Sequence, residues 1–172
     1  KYFVDYELRM ITRSYEARTK EINQNTNRLW KDLMGSCSDL FLFAYGIHPD
    51  FELSKDFMES KGFLQLLEAK RIREWQTLTD KQLHDIMCGN RFRNFDQIIA
   101  NIKKIALSLS DIPLGIEAEL QMKAKHILNL MQMKKQTVHV LEELSLSRPA
   151  VGELTLIKGI GVTTASIIVA EI

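Results

Sequence analysis

Residues 1–34 contain neither proline nor glycine, and their apolar side chains return at alternating steps of four and three: Val4, Leu8, Ile11, Tyr15, Ile22 and Leu29. A helix places all of these positions on one edge, the seam of a coiled coil, whereas a strand would scatter them over both faces. The spacing therefore predicts one long helix over 1–34 that needs a partner along its length. Arg18 and Asn25 fall in the same seam, where polar residues lower stability and fix register or oligomer state. At about 100° per residue, Arg9, Arg13, Lys20, Asn27 and Lys31 share a second face, with Glu16 among them. That face suits something anionic, although for a stripe taken by itself a solvated charged surface is the favoured explanation.

Gly35 and Ser36-Cys37-Ser38 end this helix and begin a smaller helical region. The apolar run at 40–45 is far too short for a membrane and reads as core, and Gly46 with His48-Pro49-Asp50 reads as a turn, His48 being a surface loop histidine. Ser54 can cap a short helix, and Phe63, Leu64, Leu66 and Leu67 bury one side of the next. Thr79 with Gln82 forms a capping box, and Gly89 is a stop. Phe95, Ile98, Ile99, Ile102, Ile105, Ala106 and Leu109 define an amphipathic face, broken by Pro113 and Gly115. A second long run, 116–144, sets Leu120, Ala124, Ile127, Met131, Val138 and Leu141 on another three-four seam with Lys134 as its polar defect. An antiparallel partner in the same chain and a second protomer both fit these two seams.

A net charge of +1, with 26% charged and 45% hydrophobic residues, gives no global support for nucleic-acid binding; local clusters must carry it. Residues 70–104 hold such a cluster: Lys70, Arg71, Arg73, Lys81, Arg91, Arg93, Lys103 and Lys104 outnumber four carboxylates, with Trp75, Phe92 and Phe95 interleaved. Aromatics among cations can stack on unpaired bases, yet aromatics at helical spacing more often belong to a core. His126 and His139 lie on different helical faces, so no shared metal site is expected, and Met122, Met131 and Met133 read as adaptable packing. Cys37 and Cys88 are isolated, which with the absence of a signal peptide or membrane-length apolar run predicts a reduced, cytoplasmic setting. The chain starts at Lys1 and reads as an excised piece lacking sequence on its N-terminal side.

Beyond Ser147-Arg148-Pro149, a hinge in which Pro149 suits a helix's first turn, residues 154–172 (LTLIKGIGVTTASIIVAEI) read as a short helix, a turn on Lys158-Gly159-Ile160-Gly161, and a second helix from Val162. This is a helix-hairpin-helix pattern. Glycines tolerate positive φ and hold no Cβ between backbone and phosphate, so amides of the turn and of the next helix's first turn can face an anion. Ile160 is the expected buried pin, and Thr163 and Thr164 add hydroxyl donors. Two helices cannot bury a core alone, so the hairpin must pack on the long helices or on further sequence.

The form LxLIKGIGxxTAxxIxAEI resembles the C-terminal domain of bacterial insertion-sequence transposases and pilin-inverting site-specific recombinases. Members of that family join a RuvC-like DEDD nuclease domain, through a long helical region, to a helix-hairpin-helix domain. Leu8-Arg9, Arg13 and Asn27-Arg28-Leu29 resemble the arginine- and asparagine-bearing helix that follows their nuclease domain. The middle of the chain matches only as helical pattern, and Lys158 departs from the proline many members carry. The resemblance implies nuclease acids upstream of Lys1 that hold Mg2+, and a nucleophilic serine downstream of Ile172; Ser166 lies outside that motif. This piece is then not itself catalytic.

The reading is an all-α chain: a long coiled-coil-like helix (1–34), a small helical subdomain (35–112), a second long helix (113–147) and a terminal helix-hairpin-helix (148–172). The expected partner is DNA, gripped by its backbone through Lys158, Gly159, Ile160, Gly161, Val162, Thr163 and Thr164, with Arg9, Arg13, Lys20, Arg28 and Lys31 on the first helix. A structured guide RNA and a homo-dimer or higher oligomer are further implied partners; no cofactor is expected in this piece. The alternative is a helical protein-protein interaction module whose glycine turn is only structural. A base-excision glycosylase with the same hairpin fits less well, because its catalytic aspartate normally follows the hairpin and this chain stops first.

Overall fold

The structure, a computed structural model, describes residues 5–38, 55–109 and 111–172; Val4, the apolar run at 40–45, His48 and Ser54 lie outside them. Every regular element among the described residues is helical. In chain order these are α1 (Tyr6–Ser36), α2 (Lys55–Met58), α3 (Lys61–Ala69), α4 (Ile72–Trp75), α5 (Asp80–Ile86), α6 (Phe95–Ser108), α7 (Leu114–Ser145), α8 (Pro149–Thr155) and α9 (Val162–Glu171). The two runs with three-four periodicity become α1 and α7, of 31 and 32 residues. Local chemistry sets the ends. The Gln82 amide donates to Thr79 Oγ1 at 3.2 Å while the Thr79 amide donates to Gln82 Oε1 at 2.8 Å, closing the capping box of α5. Pro149 occupies the first turn of α8, where its missing N–H leaves nothing unsatisfied.

The chain divides into two compact units, one of residues 1–24 with 129–172 and one of residues 25–128, and α1 and α7 contribute to both. In the second unit Leu29 and Leu33 of α1, Leu120, Ala124 and Ile127 of α7, and the inner faces of α3 and α6 are buried. Asp32 accepts a hydrogen bond from Lys123, and Gly35 and Ser36 line a groove with Gly115 and Ile116, so α1 and α7 run antiparallel here. The amphipathic face expected of α6 is the buried one: Ile99, Ile102 and Ile105 are at most 2% exposed. Trp75 is also buried, its Nε1 donating to Lys70 O at 3.0 Å, and its ring meets Phe63 edge-on. This removes Trp75 from the surface that its basic neighbours suggested for it, because α4 turns it inward to fill the core. Met122 and Met133 depart the other way: both are exposed, not packing residues.

In the first unit Leu8 of α1 and Leu141 of α7 share one apolar cluster with Val151, Ala165 and Ala170 of the hairpin. Tyr15 lies under Lys134, whose Nζ is 4.9 Å from the ring centroid, so α1 and α7 run antiparallel here as well. Two of the three polar seam positions thus acquire partners in this unit: Arg18 donates to Thr137 Oγ1 at 2.8 Å, and Lys134 makes a cation–π contact. Within this unit Leu8, Ile11 and Tyr15 of the α1 seam pack in one cluster with Leu141 and Leu144 of α7. The hairpin leans on both, since α8 supplies only Val151 and α9 only small residues to the buried cluster.

Candidate nucleic-acid interface

The turn between α8 and α9 forms because two glycines permit it. Ile160 N–H donates to Ile157 O at 3.0 Å, closing a four-residue turn in which Gly159 adopts φ +93°. A positive φ at the third position is the requirement of a type II turn and favours glycine. Gly161 follows in extended conformation as the N-cap of α9, with no side-chain cap, and its carbonyl receives the Ala165 amide at 2.9 Å. The amides of Val162, Thr163 and Thr164 precede that first intrahelical bond, as at any helix start, and sit at the positive end of the helix dipole.

Burial sorts the seven hairpin residues into two groups. Lys158, Gly159, Gly161 and Thr164 are exposed, whereas Ile160, Val162 and Thr163 are half-buried. Ile160 and Val162 pack on the cluster around Leu8 and Leu141, but Ile160 is only half-buried, short of the buried pin expected of it, and Val162 shares its place. A Cβ placed on Gly159 or Gly161 would meet nothing within 4 Å, which leaves the outer face of the turn open to an approaching backbone. Ser166 is fully buried and its Oγ has no hydrogen-bond partner; small residues at 165, 166 and 170 are what let α9 sit close to its neighbours.

The basic edge of α1 is partly occupied from within. Arg9 Nε donates to Ala170 O at 3.1 Å, and Arg9 Nη2 and Arg13 Nε each lie 3.5 Å from the Glu171 carboxylate. The two arginines therefore cap the C-terminal end of α9, where unpaired carbonyls and the negative end of the dipole attract cations. Lys20 is exposed in the same unit, and Arg28 and Lys31 are exposed in the second unit.

Two functional neighbours escape a sequence reading. Arg148 anchors the hairpin through Asp5 and Glu7, and Glu171 faces Arg9 and Arg13. Each pairing joins residues more than 140 positions apart, so no local spacing announces it. His126 is exposed, and His139 Nδ1 lies 3.2 Å from Glu142; among the described residues no group of three or more metal-ligating side chains comes together. No described helix is long and apolar enough to cross a membrane. Scans against protein-family models, curated proteins and solved structures found no match to this chain.

Proposed function

We propose that this chain is the helical, backbone-gripping part of a DNA transposase or site-specific recombinase of the kind its first and last helices resemble, and that it is not itself catalytic. The observation that carries the reading is the hairpin: Gly159 at φ +93°, Ile160 half-buried against the apolar cluster, and an exposed, glycine-flanked start to α9 beside Lys158. Contacts of this type hold phosphates and carry no base code. On this reading the nuclease acids, their Mg2+ and the attacking serine belong to other parts of the parent enzyme. A structured RNA is a second nucleic-acid partner under the same proposal. Self-association would use faces other than the covered seams of the first unit, such as that of the exposed Tyr6 and Met10.

Titration of a labelled duplex tests the reading. Weak, sequence-indifferent binding that falls steeply with salt is expected, and no binding at tens of micromolar protein at low salt removes it. The second reading, a helical interaction module, draws on the ion pairs of Arg9 and Arg13 with Glu171, which give that part of the basic edge a structural role. It predicts that duplex binding is absent while the fold is intact.

A further inference from the structure

The loop between α5 and α6 in the second unit holds two arginines outward on a fixed base. Gly89 at φ +82° and Asn94 at φ +56° bend the backbone at its two ends. Asn90 Nδ2 donates to Gln65 Oε1 and to Met87 O, both at 2.7 Å, which ties the loop to α3 and α5. Phe92 then inserts its ring between neighbours: its centroid is 5.4 Å from Phe57 and 5.4 Å from Phe95. It lies so close to Gly62 that a Cβ there would fall 2.8 Å from Phe92 Cζ. With Phe92 turned inward, Arg91 and Arg93 on either side are exposed, and neither has an ion-pair partner among the described residues. Arg73 and Lys103, by contrast, are engaged by Glu117 and Asp80.

Beside the arginines is a flat aromatic surface. The His84 ring stacks on Phe95 with centroids 4.2 Å apart and planes 14° from parallel, and its side chain is 45% exposed. Phe95 touches both His84 and Phe92, so the exposed ring and the loop that carries the arginines are joined through two half-buried rings, with the exposed Asp96 carboxylate 3.5 Å from His84 Nε2 at the edge of the patch. Exposed cations on an anchored loop, able to neutralise phosphates, together with an exposed ring already stacked on a second aromatic, match the chemistry of a strand with unpaired bases. An acidic protein surface would use the arginines but not the stacked ring.

We propose that Arg91, Arg93 and His84 form a second nucleic-acid contact, for single-stranded nucleic acid, with the arginines on the phosphodiester backbone and a base stacked on His84. It does not depend on the hairpin reading, because the residues lie in a different unit and the expected ligand is a single strand. The test is fluorescence anisotropy of the full chain with a labelled oligothymidine and an oligouridine of about twenty nucleotides, over a range of salt. The unaltered chain binds both, and the tighter of the two assigns the source as DNA or RNA. Arg91→Ala with Arg93→Ala weakens binding and flattens the slope of log K against log salt by about 1.4, two phosphates at about 0.7 each. His84→Ala weakens binding about fivefold or more with the slope unchanged, and His84→Phe restores it. The exposed, unpaired arginines can be removed without changing the thermal midpoint, and His84→Phe, which keeps a ring on Phe95, separates loss of the base contact from any loss of stability in His84→Ala. Binding and slope unaltered in the double variant overturn the proposal, as does failure of the unaltered chain to bind either strand at tens of micromolar. A hairpin variant such as Gly159→Val that abolishes duplex binding while leaving oligothymidine binding in place separates the two sites.

Discussion

Arg148 holds Asp5 by two hydrogen bonds, Nε to Oδ2 at 2.7 Å and Nη2 to Oδ1 at 3.4 Å, and Asp5 in turn accepts the Leu8 amide at 3.0 Å as the N-cap of α1. One carboxylate thus ties the entry of the hairpin to the start of the long helix. The Arg148 guanidinium, and after it the Leu8 amide, hold the Asp5 carboxyl below its usual value of 3.8. A depressed acid stabilises the fold at pH above its unfolded value, and the contribution is lost as pH falls through the folded value. Arg148→Ala is therefore expected to lower stability by about 1 kcal/mol at pH 7, with a difference that shrinks below about pH 4 as Asp5 becomes protonated. Urea unfolding of both proteins from pH 7 to pH 2.5 measures it. A gap of constant size across that range would contradict the role given to Asp5.

Gly159 is the hairpin residue whose replacement separates backbone geometry from charge. At φ +93° any side chain is strained although space around it is open. Gly159→Ala should lower stability by about 1–2 kcal/mol, and duplex affinity should fall more than the loss of folded protein explains, because the turn re-aims the start of α9. Gly161, in extended conformation at φ −85°, should tolerate alanine in stability while losing affinity to the added Cβ. Equal effects of the two substitutions on stability would argue against this account of the turn.

On the proposed reading Glu171 is a competitor of phosphate for Arg9 and Arg13, since its carboxylate lies 3.5 Å from both. Exposed pairs of this kind contribute up to about 1 kcal/mol each. Glu171→Gln removes one negative charge and both attractions, so duplex affinity at low salt should rise, by up to about fivefold for each pair released, with a steeper salt dependence. Lower affinity in this variant would mean that the ion pairs order α9 for binding instead of masking the arginines.

The long helices were legible because seam periodicity is a local property of α1 and α7, and the hairpin because two glycines around one isoleucine dictate a turn. The capping box at Thr79 and Gln82 and the first-turn Pro149 were readable for the same reason. What a one-dimensional pattern cannot carry is which charged groups meet: Arg9, Arg13 and Lys20 share a face by helical angle, yet Glu171, from the far end of the chain, claims the first two. Burial of Trp75 was hidden likewise, because its sequence neighbours are cations whereas its spatial neighbours include Phe63.

In the second unit Glu117 is 2% exposed and accepts two hydrogen bonds from Arg73, from Nε to Oε2 at 2.7 Å and from the backbone amide to Oε1 at 3.1 Å, while Arg73 Nη2 is itself fixed by donating to Ile112 O at 2.6 Å. A carboxylate out of water needs these partners, since desolvation of an unpaired charge outweighs what packing around it returns. Arg73→Ala leaves Glu117 buried with only the amide, and is expected to destabilise by roughly 3 kcal/mol. Adding Glu117→Gln to that variant should recover part of the loss, because an amide is cheaper to bury than a carboxylate. Thermal unfolding of the two single variants and the double variant closes the cycle. A double variant no more stable than Arg73→Ala alone would show that the arginine acts here through packing of its stem and its bond to Ile112, with little contribution from charge.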